Sequence, residues 1–233
     1  MSVKALIHPL PGVRRMSLLR QQLVFRGSAQ FWEQNYARGK TSGGGSYGHA
    51  AHAKADFLNS FVGQNAIQSV VEFGCGDGNQ LSLAKYPRYV GLDVSKTAIG
   101  MCRQRFAVNP TKSFFLYDGT CFADGGGIFA AELAISLDVV YHLIEDQIFE
   151  TYMTHLFTAG QRFVVLYSTN MELGDSSPHV RHRIFTTWVE GNCPEWELIG
   201  VTKGPNDHLA GRADFFVYRR VGRRSGTIPE TAR

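Results

Sequence analysis

An apolar run, Val70-Val71-Glu72-Phe73, passes without a break into Gly74-Cys75-Gly76-Asp77-Gly78-Asn79, and the next apolar run, Tyr89-Val90-Gly91-Leu92, ends on Asp93. Glycines at alternate positions bend the backbone sharply and leave room for a ligand to lie directly on main chain, where a Cβ would stand in the way. A strand entering such a turn, with a neighbouring strand ending on an acid, predicts a nucleotide-like ligand at the carboxyl edge of a sheet. The spacing departs from the G-x-G-x-x-G of dinucleotide folds, because the third glycine arrives one residue early and Asn79 follows.

From residue 68 onward, short apolar runs alternate with helical periodicity, which predicts parallel strands joined by helices on both faces of a sheet. The runs place strands near 69–73, 88–92, 113–117, 132–137 and 162–167, with crossover helices clearest over 96–107 and 145–158. Two further strands, 196–202 and 215–219, flank a polar loop at 203–212. Upstream, an amphipathic stretch from Met16 to Phe25 predicts a peripheral helix, and Phe31–Tyr36 leads into a glycine-rich segment over Thr41–His49. Tyr47 and His49 interrupt those glycines, which marks a cap and not an interdomain linker. The expected organisation is a helical extension and glycine-rich cap over 1–55, one α/β domain over 56–221 and a frayed tail over 222–233.

With 233 residues, 44% of them hydrophobic, the chain can bury one sizeable core. No run approaches the roughly 18 apolar residues of a membrane span, and the N-terminus lacks the apolar core of a secretory signal, so a cytoplasmic location is expected. Cys75, Cys102, Cys121 and Cys193 form no C-x-x-C pair, which argues against a zinc site or a disulfide framework, and no metal is expected. The net charge of +4 gathers at the ends, at Arg14, Arg15, Arg20 and Arg26 and again at Arg219, Arg220, Arg223 and Arg224. No recognised nucleic-acid module accompanies it, which sets nucleic acid aside as a partner in favour of a small-molecule or glycan acceptor.

Gly74, Gly76 and Gly78, preceded by Glu72, resemble motif I of the class I S-adenosylmethionine (SAM)-dependent methyltransferases. The resemblance spans residues 68 to about 167. It implies a doubly wound, mostly parallel seven-stranded sheet closing in an antiparallel pair, here with an N-terminal helical cap. It further implies that Glu72 supports the glycine loop and the amino end of SAM, while Gly74, Cys75 and Gly76 give close backbone approach. Asp93 and Val94 would meet the ribose, with Ser95 capping the following helix and leaving Asp93 free. Asp118 and Gly119 would meet the adenine amino group, although Asp-Gly is also a common turn dipeptide. Leu137, ending the fourth strand, would line the boundary between cofactor and acceptor.

Methyl transfer is an in-line displacement governed by position, and a hydroxyl acceptor also needs a base. His142, just past the fourth strand, is one candidate, with Asp138 the competing base or the group that orients it. A histidine there can equally pack against the cofactor. On the acceptor side, His179, Arg181 and Arg183 would share one side of an extended segment able to grip an acidic or polyhydroxylated acceptor, or to form a basic surface loop. Tyr141 joins them, and Tyr36, Tyr47 and His49 sit on the segment able to close over a cleft. The stretch from Tyr36 to Gly48 resembles a bacterial subgroup of these enzymes. The missing prolines after Asp138 and the reversed order of Cys193-Pro194 set aside DNA amino- and cytosine-C5-methylating types. The reading is therefore a SAM-dependent methyltransferase acting on a small or sugar-like acceptor at oxygen. The alternatives are a catalytically silent SAM-binding regulatory or assembly module and an NAD-dependent dehydrogenase.

Overall fold

The computed structural model describes residues 27–172, 177–205 and 213–222. The expected helix over Met16–Phe25, most of the 203–212 loop and nearly all of the tail lie outside them.

Seven strands form one sheet: β1 (Ser69–Phe73), β2 (Arg88–Asp93), β3 (Lys112–Leu116), β4 (Ala131–Leu137), β5 (Gly160–Ser168), β6 (Trp196–Lys203) and β7 (Asp214–Arg220). Their spatial order is β3-β2-β1-β4-β5-β7-β6. The first five are parallel, and β7 is antiparallel to both β5 and β6. The helices are α1 (Ser28–Ala37), α2 (Gly48–Gln64), α3 (Lys96–Arg105), α4 (Asp146–Ala159) and α5 (Phe185–Asn192).

Every residue of β1 is buried, as a central strand covered on both faces requires. The period of two along the strands divides the core. Val71 and Phe73 of β1, with Val164 and Leu166 of β5, pack under Met153, Leu156 and Phe157 of α4. On the other face Val70, Leu133, Ile135 and Val165 pack against Leu58 and Val62 of α2 and Ile99 and Cys102 of α3. Ser95 caps α3 by accepting from the Ala98 N–H at 3.0 Å, and Arg103 and Arg105 in its last turn complement the helix dipole.

The expected strands hold to within about two residues. One small displacement matters: β3 ends at Leu116, so Tyr117 leaves the sheet and joins a cavity wall. That cavity opens at the carboxyl ends of β1, β2 and β4, where the strand order reverses. Among the described residues no helix is long and apolar enough to cross a membrane.

Candidate cofactor and acceptor site

The turn after β1 is held from below by β2. Both Gly74 and Cys75 donate their N–H groups to the Leu92 carbonyl, at 2.7 and 3.0 Å. Asp93 then fixes the next step, its Oδ2 accepting from the Gly76 N–H at 2.8 Å and its Oδ1 from the Ser95 N–H at 2.9 Å. Gly74 and Gly76 sit at φ 85° and 58°, the left-handed region that glycine enters most readily. Their missing side chains matter for close approach as well. A Cβ on Gly74 would strike Val139, and one on Gly76 would strike Ser42 and come within 3.1 Å of the Tyr36 hydroxyl. The glycine turn thus lies directly against residues from both sides of the cleft.

Two buried carboxyl groups face this cavity. Burial pushes Glu72 up to about 7, against the opposing effects of a 2.6 Å bond from the Tyr89 hydroxyl and the nearby positive charge of Lys54. Burial likewise raises Asp93 to about 6, even with its two backbone donors. Cys75 also lines the cavity, and the neighbouring Cys102 thiol, followed by burial, raises its pKa.

The opposite wall comes from α1. Ser28, Trp32 and Tyr36 recur at four-residue intervals, so they share one helix face, and all three line the cavity. Asp77 ties down the loop after α1, its Oδ2 accepting from the Ser42 N–H and the Tyr47 hydroxyl, both at 2.9 Å. Asn79 donates to the Ser46 carbonyl at 2.7 Å. Two further carboxylates secure α1. Glu33 accepts from Ser95 Oγ and Thr97 Oγ1, and Glu145 from Ser28 Oγ. Close packing joins the same loop to β4: a Cβ on Gly45 would stand 2.7 Å from Asp138 Oδ2.

Asp138 occupies a left-handed conformation, φ 61°, just past β4. Its Oδ2 pairs at 2.5 Å with the fully buried Lys54 of α2, and its Oδ1 accepts from the Tyr141 hydroxyl at 2.9 Å. Beside it, His142 places Nδ1 2.8 Å from the His179 carbonyl. Because a carbonyl only accepts, Nδ1 carries the proton and Nε2 keeps its lone pair. No hydrogen bond engages Nε2 among the described residues. Burial lowers the imidazole to about 4. The ring also meets Trp32 edge-on at 4.8 Å and lies parallel to His179, which stacks on Phe31.

Of the residues singled out from sequence, Glu72, Gly74, Cys75, Gly76, Asp93 and Val94 line this one cavity, as do Leu137, Asp138, His142 and Tyr36. Asp93 is not free, as the Ser95 cap suggested, but holds two backbone donors. Asp118 and Gly119 fall outside the lining, and Asp118 is exposed, with Oδ1 accepting from the N–H and hydroxyl of Thr120 in a turn. Tyr47, His49, Tyr141, His179 and Arg183 are likewise not part of the wall. Tyr47 and Tyr141 act one layer out, through Asp77 and Asp138, and His179 through its carbonyl. Arg183 is turned inward: its Nη1 donates to the Leu143 carbonyl, and its Nη2 to the Ile144 carbonyl and Asp146, at 2.8 and 2.9 Å. Its guanidinium braces the loop that carries His142, and with Arg181 it borders a second cavity beside α4. Trp32, Ser42, Gln80 and Tyr117 line the cavity without having been singled out. For Trp32 the available signal was its four-residue spacing to Tyr36. Among the described residues no group of three or more His, Cys, Asp or Glu side chains is arranged to hold a metal ion.

No protein-family model matches the chain. A curated small RNA 2'-O-methyltransferase of Arabidopsis thaliana is 26% identical over 153 residues, 61% of this chain and 15% of that protein. The chain thus spans only a small part of that relative's length. Among solved structures, the methyltransferase domain of bacterial CtHen1-C aligns over 73% of this chain and 98% of that one, with TM-score 0.56 and 17% identity. Magnesium protoporphyrin IX methyltransferase from Synechocystis, solved with bound SAM, aligns over 84% and 99%, with TM-score 0.62 and 14% identity. The RNA relative overturns the expectation that nucleic acid is set aside. That expectation rested on a missing binding module, but a ribose hydroxyl is a small acceptor whatever polymer carries it. The strand order with its inserted antiparallel β7, the glycine turn at the head of β1 and the acid ending β2 agree with these alignments: the chain has the fold of the class I SAM-dependent methyltransferases.

Proposed function

We propose that this chain is a SAM-dependent methyltransferase that methylates a sugar hydroxyl, with His142 Nε2 receiving the proton. The observation that carries the reading is the tautomer of His142, whose Nδ1–H is committed to the His179 carbonyl. The ring is neutral throughout the physiological range, and its lone pair belongs to a residue of the cavity wall.

SAM would supply a methyl group activated by a sulfonium. The residues present suit it. Asp93 is buried and raised because two backbone donors do not fully offset the loss of water, and ribose hydroxyls would add the missing donors. Val94 and Tyr117 extend that wall with apolar surface for a base, and Glu72 offers negative charge to an ammonium. The segment from α1 to Ser46 acts as a cap that keeps water from the reacting centre. Asp138, already engaged by Lys54 and Tyr141, positions the loop of His142 and does not itself take the proton. Trp32 beside His142 gives the acceptor ring an apolar surface.

A sugar hydroxyl is the chemistry shared by a glycan and by the ribose of RNA, and a labelling experiment separates the two sources. Isotopically labelled methyl donor is supplied with short single-stranded RNAs in one arm and with glycans in the other. Label recovered as a 2'-O-methylnucleoside assigns RNA, and label recovered in a methylated sugar assigns a glycan. His142→Ala should lower kcat about 100-fold or more while leaving cofactor affinity nearly intact. Unchanged turnover removes His142 from the base role. Retained binding of S-adenosylhomocysteine with no labelled product in either arm would favour the silent module.

A further inference from the structure

Along α2 the buried positions Ala51, Ala55, Leu58 and Val62 follow the helical period, and Lys54 stands among them, fully buried. A lysine on such a face is costly unless an anion meets it. Asp138 does so from the end of β4, with Oδ2 2.5 Å from Nζ, and the Tyr167 ring of β5 lies 5.1 Å from the same ammonium. Glu72, the other carboxyl group that feels this charge, is pushed by burial toward its protonated form. Asp138 is therefore the main counter-charge of Lys54.

What the pairing holds is a strained turn. Asp138 has φ 61°, a region that residues with a Cβ enter at a cost and keep where their neighbours enforce it. Three contacts do so here: Lys54 on Oδ2, the Tyr141 hydroxyl on Oδ1, and the Asp138 N–H donating to the Tyr167 carbonyl at 2.9 Å. From that turn the chain passes to Val139, packed against Gly74, and on to His142, whose N–H donates to the Val139 carbonyl at 2.7 Å. The Tyr141 ring, tethered through its hydroxyl to Asp138, packs 4.5 Å from the His142 ring. Asp138 Oδ2 is also the atom that Gly45 of the cap loop leaves room for. One carboxylate thus joins α2, the cap and the histidine loop.

We propose that Lys54 is a positioning residue, which through Asp138 holds the turn that presents His142 Nε2 to the acceptor. This rests on the His142 reading above. The first readout is the pair of imidazole nitrogen resonances of His142 in protein carrying isotopically labelled histidine, identified by their loss in His142→Ala. With Nδ1 protonated and Nε2 bare, the two signals lie far apart. Lys54→Met, close in length but uncharged, should draw them together as the tautomer loses its fixed partner. It should also lower kcat, for the acceptor that labelling identifies, about 10- to 100-fold, the effect of a mislaid base. Affinity for S-adenosylhomocysteine should stay within about threefold. Asp138→Asn should act alike, and the double variant should be no worse than either single one, because both act through one contact. Should Lys54→Met not fold, Asp138→Asn carries the resonance test. Unchanged resonances and turnover in either folded single variant, losses that add in the double variant, or a loss of S-adenosylhomocysteine affinity as large as that of kcat overturn the assignment. Resonances that move in Lys54→Met while His142→Ala keeps full turnover leave Lys54 as the positioner of the ring and remove the base reading instead.

Discussion

His142 is buried enough that charging it is unfavourable well below neutrality. An ordinary histidine base loses activity as pH falls through about 6.5. Here, with cofactor saturating, kcat/KM for the acceptor should stay level to about pH 5 and fall along a limb centred near 4, the value to which burial lowers the ring. A limb centred near 6.5 would mean that the working group is not this buried imidazole. A histidine after the fourth strand was visible in the sequence. Its tautomer was not, because the carbonyl that sets it belongs to His179 on a different segment. The contacts of Arg183 were hidden for a related reason. A guanidinium after a strand looks available in one dimension, but the carbonyls of Leu143 and Ile144 lie in a non-helical stretch and need donors from elsewhere in the chain.

The strands were legible almost to the residue because a two-sided sheet demands apolar runs and bounds them with turn residues. The packing of α1 and its loop was not, since contacts through Glu33, Asp77 and Glu145 follow no local period. Asp77 carries the heaviest share, accepting from Ser42, Tyr47 and Asn79 while its own N–H donates to Ser42 Oγ. Asp77→Asn keeps the shape but turns one oxygen into a donor facing other donors, a mismatch worth about 1–3 kcal/mol. If the loop opens as a local unit, amide hydrogen exchange over residues 41–48 should quicken about tenfold or more, with α4 unchanged. Uniform acceleration across both elements would instead mean that Asp77 supports the sheet as well as the loop.

At the scale of the whole molecule, the site is a place where stability is given up. Glu72 has a carboxyl pKa near 7 in the folded chain against 4.5 for an ordinary glutamate, so folding favours the protonated form between those values. Its contribution to stability is fully present below about 4.5 and is lost as pH rises toward 7. Glu72→Gln abolishes that dependence. Relative to the unmodified protein, the variant should gain about 2–3 kcal/mol between pH 4.5 and pH 8, read from denaturant unfolding at each pH. The same linkage runs through the ligand. If an ammonium binds beside Glu72, it favours the ionised carboxylate, so S-adenosylhomocysteine should stabilise the unmodified protein more at pH 8 than at pH 5. The variant should show a smaller gain with little pH dependence. Equal ligand gains in the two proteins at every pH would separate the buried carboxylate from binding, and its burial would then be a cost with no counterpart in the bound state.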